Sequence, residues 1–298
     1  MSPGAAVELV DTPFYPQDDY QCGPAALATV LVASGIAITP EALASQVYVP
    51  ERRGSLQAEM VAAARRHQRV PLVLPTELGG ITAALQGGQP VLVLLNLGLR
   101  SIPVWHYAVV VGYDPATQTL LLRSGRERRQ IMKAARFDAA WERSGRWALS
   151  LHRADAIPDA ATAPAWIAAV APFESLGQLG VAEAGYRAAV TRWPEAALPI
   201  TALGNVYAAQ RDWLPAVTAY SSALQRAPGA ALLNNRANAL LELACSTEAA
   251  RDLDAASALS PAPAVAAALQ RSRARVDAQL EEGDARACPP AVAQALAQ

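Results

Sequence analysis

The run Gln17-Asp18-Asp19-Tyr20-Gln21-Cys22-Gly23-Pro24-Ala25-Ala26-Leu27 places a thiol at the first turn of an expected helix. Pro24 fits an early helical position, where its missing N–H would have no intrahelical partner anyway. Cys22 therefore falls in the cap region, where free backbone N–H groups and the helix dipole favour an anion. A thiolate is such an anion, so the placement predicts a lowered pKa for Cys22. A cysteine nucleophile also needs a base, a group that orients the base, and donors for the developing oxyanion. The chain holds three histidines, His67, His106 and His152. His67 ends a basic helical stretch and reads as solvated. His152 ends a strand beside Arg153 and reads as a surface residue. His106 opens the run His-Tyr-Ala-Val-Val-Val-Gly-Tyr, after a loop that contains Pro103 and Trp105. A polar ring at the mouth of so apolar a strand suits a base better than a packing residue.

The elements that must position this pair read as α+β. Cys22 to Ala33 forms a helix stopped at Gly35, and Thr39-Pro40-Glu41-Ala42 opens a second with a cap residue and an early proline. Ser55 to His67 reads as a third helix, with Leu56, Met60, Ala63 and Ala64 on one face. Gly80 to Gln86 reads as a short fourth. Strands follow at Pro90–Leu95, His106–Tyr113, Thr119–Arg123 and Arg146–His152. Asp114-Pro115-Ala116-Thr117-Gln118 has the chemistry of a hairpin turn.

At 298 residues the chain exceeds one ordinary domain, and 52% hydrophobic residues supply ample core. A net charge of −1, from 25 basic and 26 acidic residues, argues against a nucleic-acid surface. No apolar run approaches the roughly 20 residues of a membrane span, so no integral membrane segment is expected. Met1 to Leu9 has no basic start and no long apolar core, so no signal peptide is visible. Three cysteines make no disulfide framework. Cys245 reads as a packed residue of an apolar helix, and Cys288 lies in a tail to which no role is assigned.

Residues 156–164 read as a linker between a domain at 1–155 and one at 163–298. Beyond it the period changes. Trp193-Pro194, Ala227-Pro228 and Ser260-Pro261 are 34 and 33 residues apart, and Ala182, Ala216 and Ala249 repeat with the same steps. Leu203-Gly204, Tyr207, Ala216, Tyr220 and Pro228 fall at the tetratricopeptide offsets. This half resembles a three-repeat tetratricopeptide array over 163–196, 197–229 and 230–262, followed by a C-terminal helix. Small residues would let paired helices approach while aromatics fill the space between them. On the concave face, Asn205 and Asn238 occupy equivalent positions, with Asn234 one turn before Asn238. Side-chain amides can bind an extended peptide backbone, which makes these three a candidate peptide groove for a protein partner. Docking within the chain is the competing use.

The first half resembles the papain-like bacterial peptidases of the bacteriocin-processing, double-glycine leader type and their stand-alone relatives, over roughly residues 12–150. The resemblance rests on Gln17, Cys22-Gly23-Pro24-Ala25, and His106-Tyr107 through Gly112-Tyr113. Fusion to tetratricopeptide repeats also occurs among the stand-alone relatives. The resemblance implies an α+β cysteine peptidase acting on a peptide or protein, in a bacterial cytoplasm or periplasm. Cys22 would be the nucleophile, His106 the base, and Gln17 the oxyanion-hole donor, with no metal or organic cofactor. Gln17 lies five residues before the cysteine where six is usual, which leaves Gln21 a remote second candidate. The resembled enzymes orient the histidine with an Asp on the following strand, where this chain has Arg123-Ser124-Gly125. A turn at 114–118 brings residues 124–126 back beside His106, so Ser124 is the expected orienter. Asp114 is the less favoured one, because eight strand residues put it roughly 25 Å away. Two other readings stay open here: a catalytically silent adaptor domain, and a thiol amidase or acyl transferase on the same fold.

Overall fold

The computed structural model describes residues 5–16, 22–52, 54–281 and 288–297. It divides into two compact units, Met1–Thr162 and Ala163–Gln298.

The first unit runs β1 (Val7–Glu8), α1 (Cys22–Ala33), α2 (Pro40–Val47), β2 (Tyr48–Val49), β3 (Gly54–Ser55), α3 (Gln57–Arg66), β4 (Val70–Val73), α4 (Leu78–Gln86), β5 (Val91–Asn96), β6 (Trp105–Asp114), β7 (Thr119–Ser124), β8 (Glu127–Lys133), α5 (Ala134–Glu142) and β9 (Ala148–His152). Its main sheet has the order β4-β9-β5-β6-β7-β8, with β1 pairing β6. Every pairing is antiparallel. Leu95 opposes His106 and Asn96 opposes Trp105, which fixes the end of the sheet where β6 begins. At the other end β1 lies against β6, and a side chain at Gly112 would meet the Val7 carbonyl at 2.6 Å.

Helix α1 begins at Cys22 as expected but is buried on nearly every side from Gly23 to Leu31. A helix that is apolar all round belongs inside, and this one packs on β6, α2 and α3. Leu27, Leu31, Leu43, Met60, Leu92, Val109 and Val111 form the core beneath it. Thr29 stays satisfied there by donating to the Ala25 carbonyl at 2.9 Å. Thr39 caps α2 by accepting from the Ala42 N–H, with Pro40 at the first turn. Among the elements that lack a signal in the sequence pattern are the short strands β1, β2 and β3 and three longer elements. β8 is a mostly exposed edge strand, β4 contains Pro71, and α5 carries only Phe137, Ala140 and Trp141 as its buried face.

The second unit is helical: α6 (Ala163–Val170), α7 (Pro172–Ser175), α8 (Leu179–Arg192), α9 (Ala197–Ala209), α10 (Trp213–Arg226), α11 (Ala230–Glu242), α12 (Ser246–Ala258), α13 (Pro263–Glu281) and α14 (Pro290–Ala297). Pro172 ends α6 early, because it has no N–H to continue the ladder. Successive helices pack on one another from α8 to α13. A side chain at Gly204 would meet the Tyr220 ring at 2.7 Å, and one at Gly185 would meet Val170 at 2.9 Å. Small residues here set the approach of paired helices. None of the described helices is long and apolar enough to cross a membrane.

Two expectations need correction here. Cys245 and Cys288 are not separate residues without a pairing role: they form a disulfide, with Cα atoms 4.8 Å apart and a sequence separation of 43. Sequence spacing could not reveal it, because two cysteines far apart in sequence carry no framework pattern. The candidate groove amides are also engaged. Asn205 Oδ1 accepts from the Tyr220 hydroxyl at 3.0 Å and from Asn235 Nδ2 at 3.2 Å. Asn238 Nδ2 donates to the Asn234 carbonyl and to Ser272 Oγ, and Ser272 Oγ donates to Asn234 Oδ1. Arg275 Nη1 donates to Asn238 Oδ1 at 2.8 Å. Asn205, Asn234 and Asn238 thus join helices of their own unit and, with α13 seated on α11, are not an open peptide groove.

Candidate active site

The site forms where the start of α1 meets the start of β6. Cys22 is the first residue of α1, half-buried, and the one free cysteine among the described residues. Its sulfur lies within reach of the backbone N–H groups of Tyr107, Gly23 and Cys22 itself, each of which favours the thiolate. Burial outweighs them and pushes the Cys22 thiol up from its ordinary value. The expectation of a lowered pKa is therefore reversed, because desolvation penalises the charged form more than the helix start assists it.

His106 sits one residue before Tyr107 on β6 and is half-buried. Burial alone pushes its imidazole down. Its Nε2 lies 2.9 Å from Ser124 Oγ. The register explains the contact: Val109 opposes Arg123, which puts Ser124 one step on, diagonal to His106 on the same face of the sheet. With Nε2 engaged by Ser124, Nδ1 is the ring nitrogen left for a proton exchanged with a neighbour.

Asp114 is not part of this cluster. It ends β6 at the far side of the sheet, where its carboxylate accepts from the Ala116 N–H and the Thr117 hydroxyl and caps the hairpin turn. Asp114 as an orienter of His106 is thus overturned by distance along the strand and by its own turn contacts. Gln17 and Gln21 lie outside the described residues. His152 is buried, against the surface placement expected, and burial holds it down to about 4, with Ser150 Oγ 2.8 Å from its Nε2. His67 is half-buried, and burial first, then the charges of Arg66 and Arg69, push it down.

Sequence reasoning missed two residues at the site. Ser55, on β3, packs so closely on the helix start that a side chain at Gly23 would lie 2.2 Å from its Oγ and 2.6 Å from its Cβ. Tyr107 donates its hydroxyl to the Ser55 carbonyl at 3.2 Å, and its ring meets Trp147 edge-on. Burial, and then the neighbouring Cys22 thiolate, raise the Tyr107 phenol. The glycine after the cysteine was the available sign that another backbone crosses there.

Residues 9–149 match the model of the Peptidase_C39 like family. A crystal structure of a Bacillus anthracis protein classed with the C39-like peptidases is also similar, at 17% identity and a TM-score of 0.43. That likeness covers 50% of this chain and 98% of the other. No curated protein matches the chain. By its family match the segment from residue 9 to 149, the α+β part that carries Cys22 and His106, is similar to the C39-like peptidases.

Proposed function

We propose that the first unit is a cysteine peptidase that cleaves peptide bonds through Cys22 and His106. One observation carries the reading. The imidazole is held at Nε2 by Ser124, while the thiol meets the N–H of the very next residue, Tyr107. A base held by one nitrogen beside a thiol at a helix start is the arrangement nucleophilic acyl transfer needs.

The directions of the two pKa shifts indicate a neutral resting pair, thiol and imidazole. His106 then takes the Cys22 proton as the sulfur attacks the scissile carbonyl carbon. The tetrahedral oxyanion is held by the Cys22 backbone N–H and, in this reading, the Gln17 side chain. Collapse breaks the C–N bond, and His106 passes its proton to the leaving amine. Water, deprotonated by His106, hydrolyses the thioester and restores the thiol. Ser124 orients the ring but brings no negative charge, so it stabilises the imidazolium less than a carboxylate would. The helical unit, with its tetratricopeptide spacing, would serve recruitment of a protein partner through a surface other than the engaged asparagines.

The test is a thiol-directed peptide probe on wild type, Cys22→Ala and His106→Ala, followed by a peptide-library cleavage assay. Labelling confined to Cys22, with cleavage lost in both variants, is the expected result. Labelling without cleavage of any peptide would favour an amidase or acyl transferase, and no labelling at all would favour a silent adaptor.

A further inference from the structure

Tyr107 is 3% exposed and makes three different contacts near the start of β6. Its backbone N–H reaches the Cys22 sulfur, its hydroxyl donates to the Ser55 carbonyl at 3.2 Å, and its ring meets Trp147 edge-on with centroids 6.0 Å apart. The hydroxyl bond matters because β3 lies outside the main sheet. It pairs with β2 alone, in a separate two-stranded sheet. Among the described residues, the Tyr107 hydroxyl makes the one hydrogen bond that joins β3 to the main sheet. The Ser55 side chain does not hold the strand there. Its Oγ is buried without a hydrogen-bond partner, which is an unfavourable placement. Yet Ser55 lies hard against the start of α1, where even a methyl at Gly23 would overlap it. Burial raises the Tyr107 phenol, so the hydroxyl stays a donor across the range in which a thiol titrates.

We infer that Tyr107 is a positioning residue: its hydroxyl clamps β3 onto the start of α1 and so keeps the Cys22 sulfur at the Tyr107 N–H, one residue from His106. The groups that favour the Cys22 thiolate are the backbone N–H groups of Tyr107, Gly23 and Cys22. The last two travel with α1, whereas the Tyr107 N–H belongs to β6. Only the Tyr107 bond therefore depends on how closely α1 approaches β6, and that approach is what the clamp fixes. Hydrogen bonds weaken steeply as they lengthen and bend, so a small shift of α1 would lose this one first. The same shift would carry the sulfur away from the imidazole, and a misplacement of about 1 Å in a reacting pair can cost about a hundredfold in rate. The role in turnover rests on the peptidase reading, while the effect on the thiol does not.

The experiment is iodoacetamide alkylation of Cys22 across pH, followed by peptide mapping, on the full chain as wild type and as Tyr107→Phe. Phenylalanine keeps the ring and removes only the hydroxyl. Losing most of one hydrogen bond to a charged group should slow alkylation about tenfold at pH 7 and move the midpoint of the profile up by about one unit. Tyr107→4-aminophenylalanine keeps a donor at the end of the ring and should restore the wild-type profile, which separates the clamp from a general loss of packing. On any peptide that the wild type cleaves, Tyr107→Phe should lower kcat about tenfold or more with KM unchanged, because the hydroxyl faces Ser55 and not the substrate. A shifted profile in a chain that cleaves no peptide would support the clamp and refute the peptidase reading. A wild-type profile and kcat in folded Tyr107→Phe would overturn the clamp and leave that reading intact. Faster alkylation with an unmoved midpoint would also overturn it, since that marks a loosened core that merely admits the reagent. So would a raised KM with kcat unchanged.

Discussion

Replacing Ser124 with aspartate asks directly whether this residue governs the chemistry of His106. In the wild type a neutral hydroxyl lies 2.9 Å from Nε2. A carboxylate there would sit about 4 Å from the centre of an imidazolium, worth about 4 kcal/mol at an effective dielectric of 20. Desolvating the new charge on a buried strand offsets about half of that. The remaining ~2 kcal/mol corresponds to roughly a 30-fold gain in the imidazolium form, with the His106 pKa moving up. The thiol proton then passes to the ring more readily. Alkylation of Cys22 by iodoacetamide, followed by peptide mapping across pH, should therefore speed up about 30-fold on the acid side of the ordinary thiol range. Ser124→Ala loses one neutral hydrogen bond, about 1 kcal/mol, and should lower kcat/KM about fivefold. His106→Ala should abolish turnover, and Asp114→Ala should leave it nearly intact. A folded Ser124→Asp protein with an unchanged alkylation profile would refute the coupling of Ser124, His106 and Cys22.

Gly23→Ala should cost about 1–3 kcal/mol, because the new methyl overlaps Ser55 and backbone must shift. Thermal unfolding would show it as a lower Tm, and Ser55→Gly in the same chain should recover much of the loss. Reducing the Cys245–Cys288 bond should destabilise the helical unit by about 4 kcal/mol for its 43-residue separation. Denaturant titration with and without reductant measures that, and equal midpoints would mean the bond constrains nothing. His152 titrates at about 4 when folded and at about 6.5 when unfolded, so the unfolded chain takes up its proton first as pH falls. About 3 kcal/mol of stability, present above pH 6.5, should be lost progressively between 6.5 and 4. The loss should shrink in His152→Gln, read from urea midpoints across that range.

Local rules carried much of this protein. A thiol one residue before Gly-Pro, a capped Pro40, and a turn tract at 114–118 each act through neighbours in sequence, so α1, α2 and the β6–β7 hairpin were legible from residue types. The hairpin count also placed Ser124 near His106, because strand pairing converts sequence distance into spatial register. The 34- and 33-residue steps likewise marked a helical half, since repeated small and aromatic residues must meet across paired helices. What the sequence could not determine were effects set by everything packed around a group. Cys22 has the helix start that favours a thiolate, yet the surrounding core desolvates it and raises its pKa. His152 ends a strand as expected, but β4 pairs over it and buries it. The spacing of Asn205, Asn234 and Asn238 suggested an open row of amides, and only the packing of α10, α11 and α13 decided that Asn205 meets Tyr220 and Asn235 while Asn234 and Asn238 meet Ser272. Cys245 and Cys288 became partners for the same reason: a disulfide depends on distance in space, which tertiary structure alone decides.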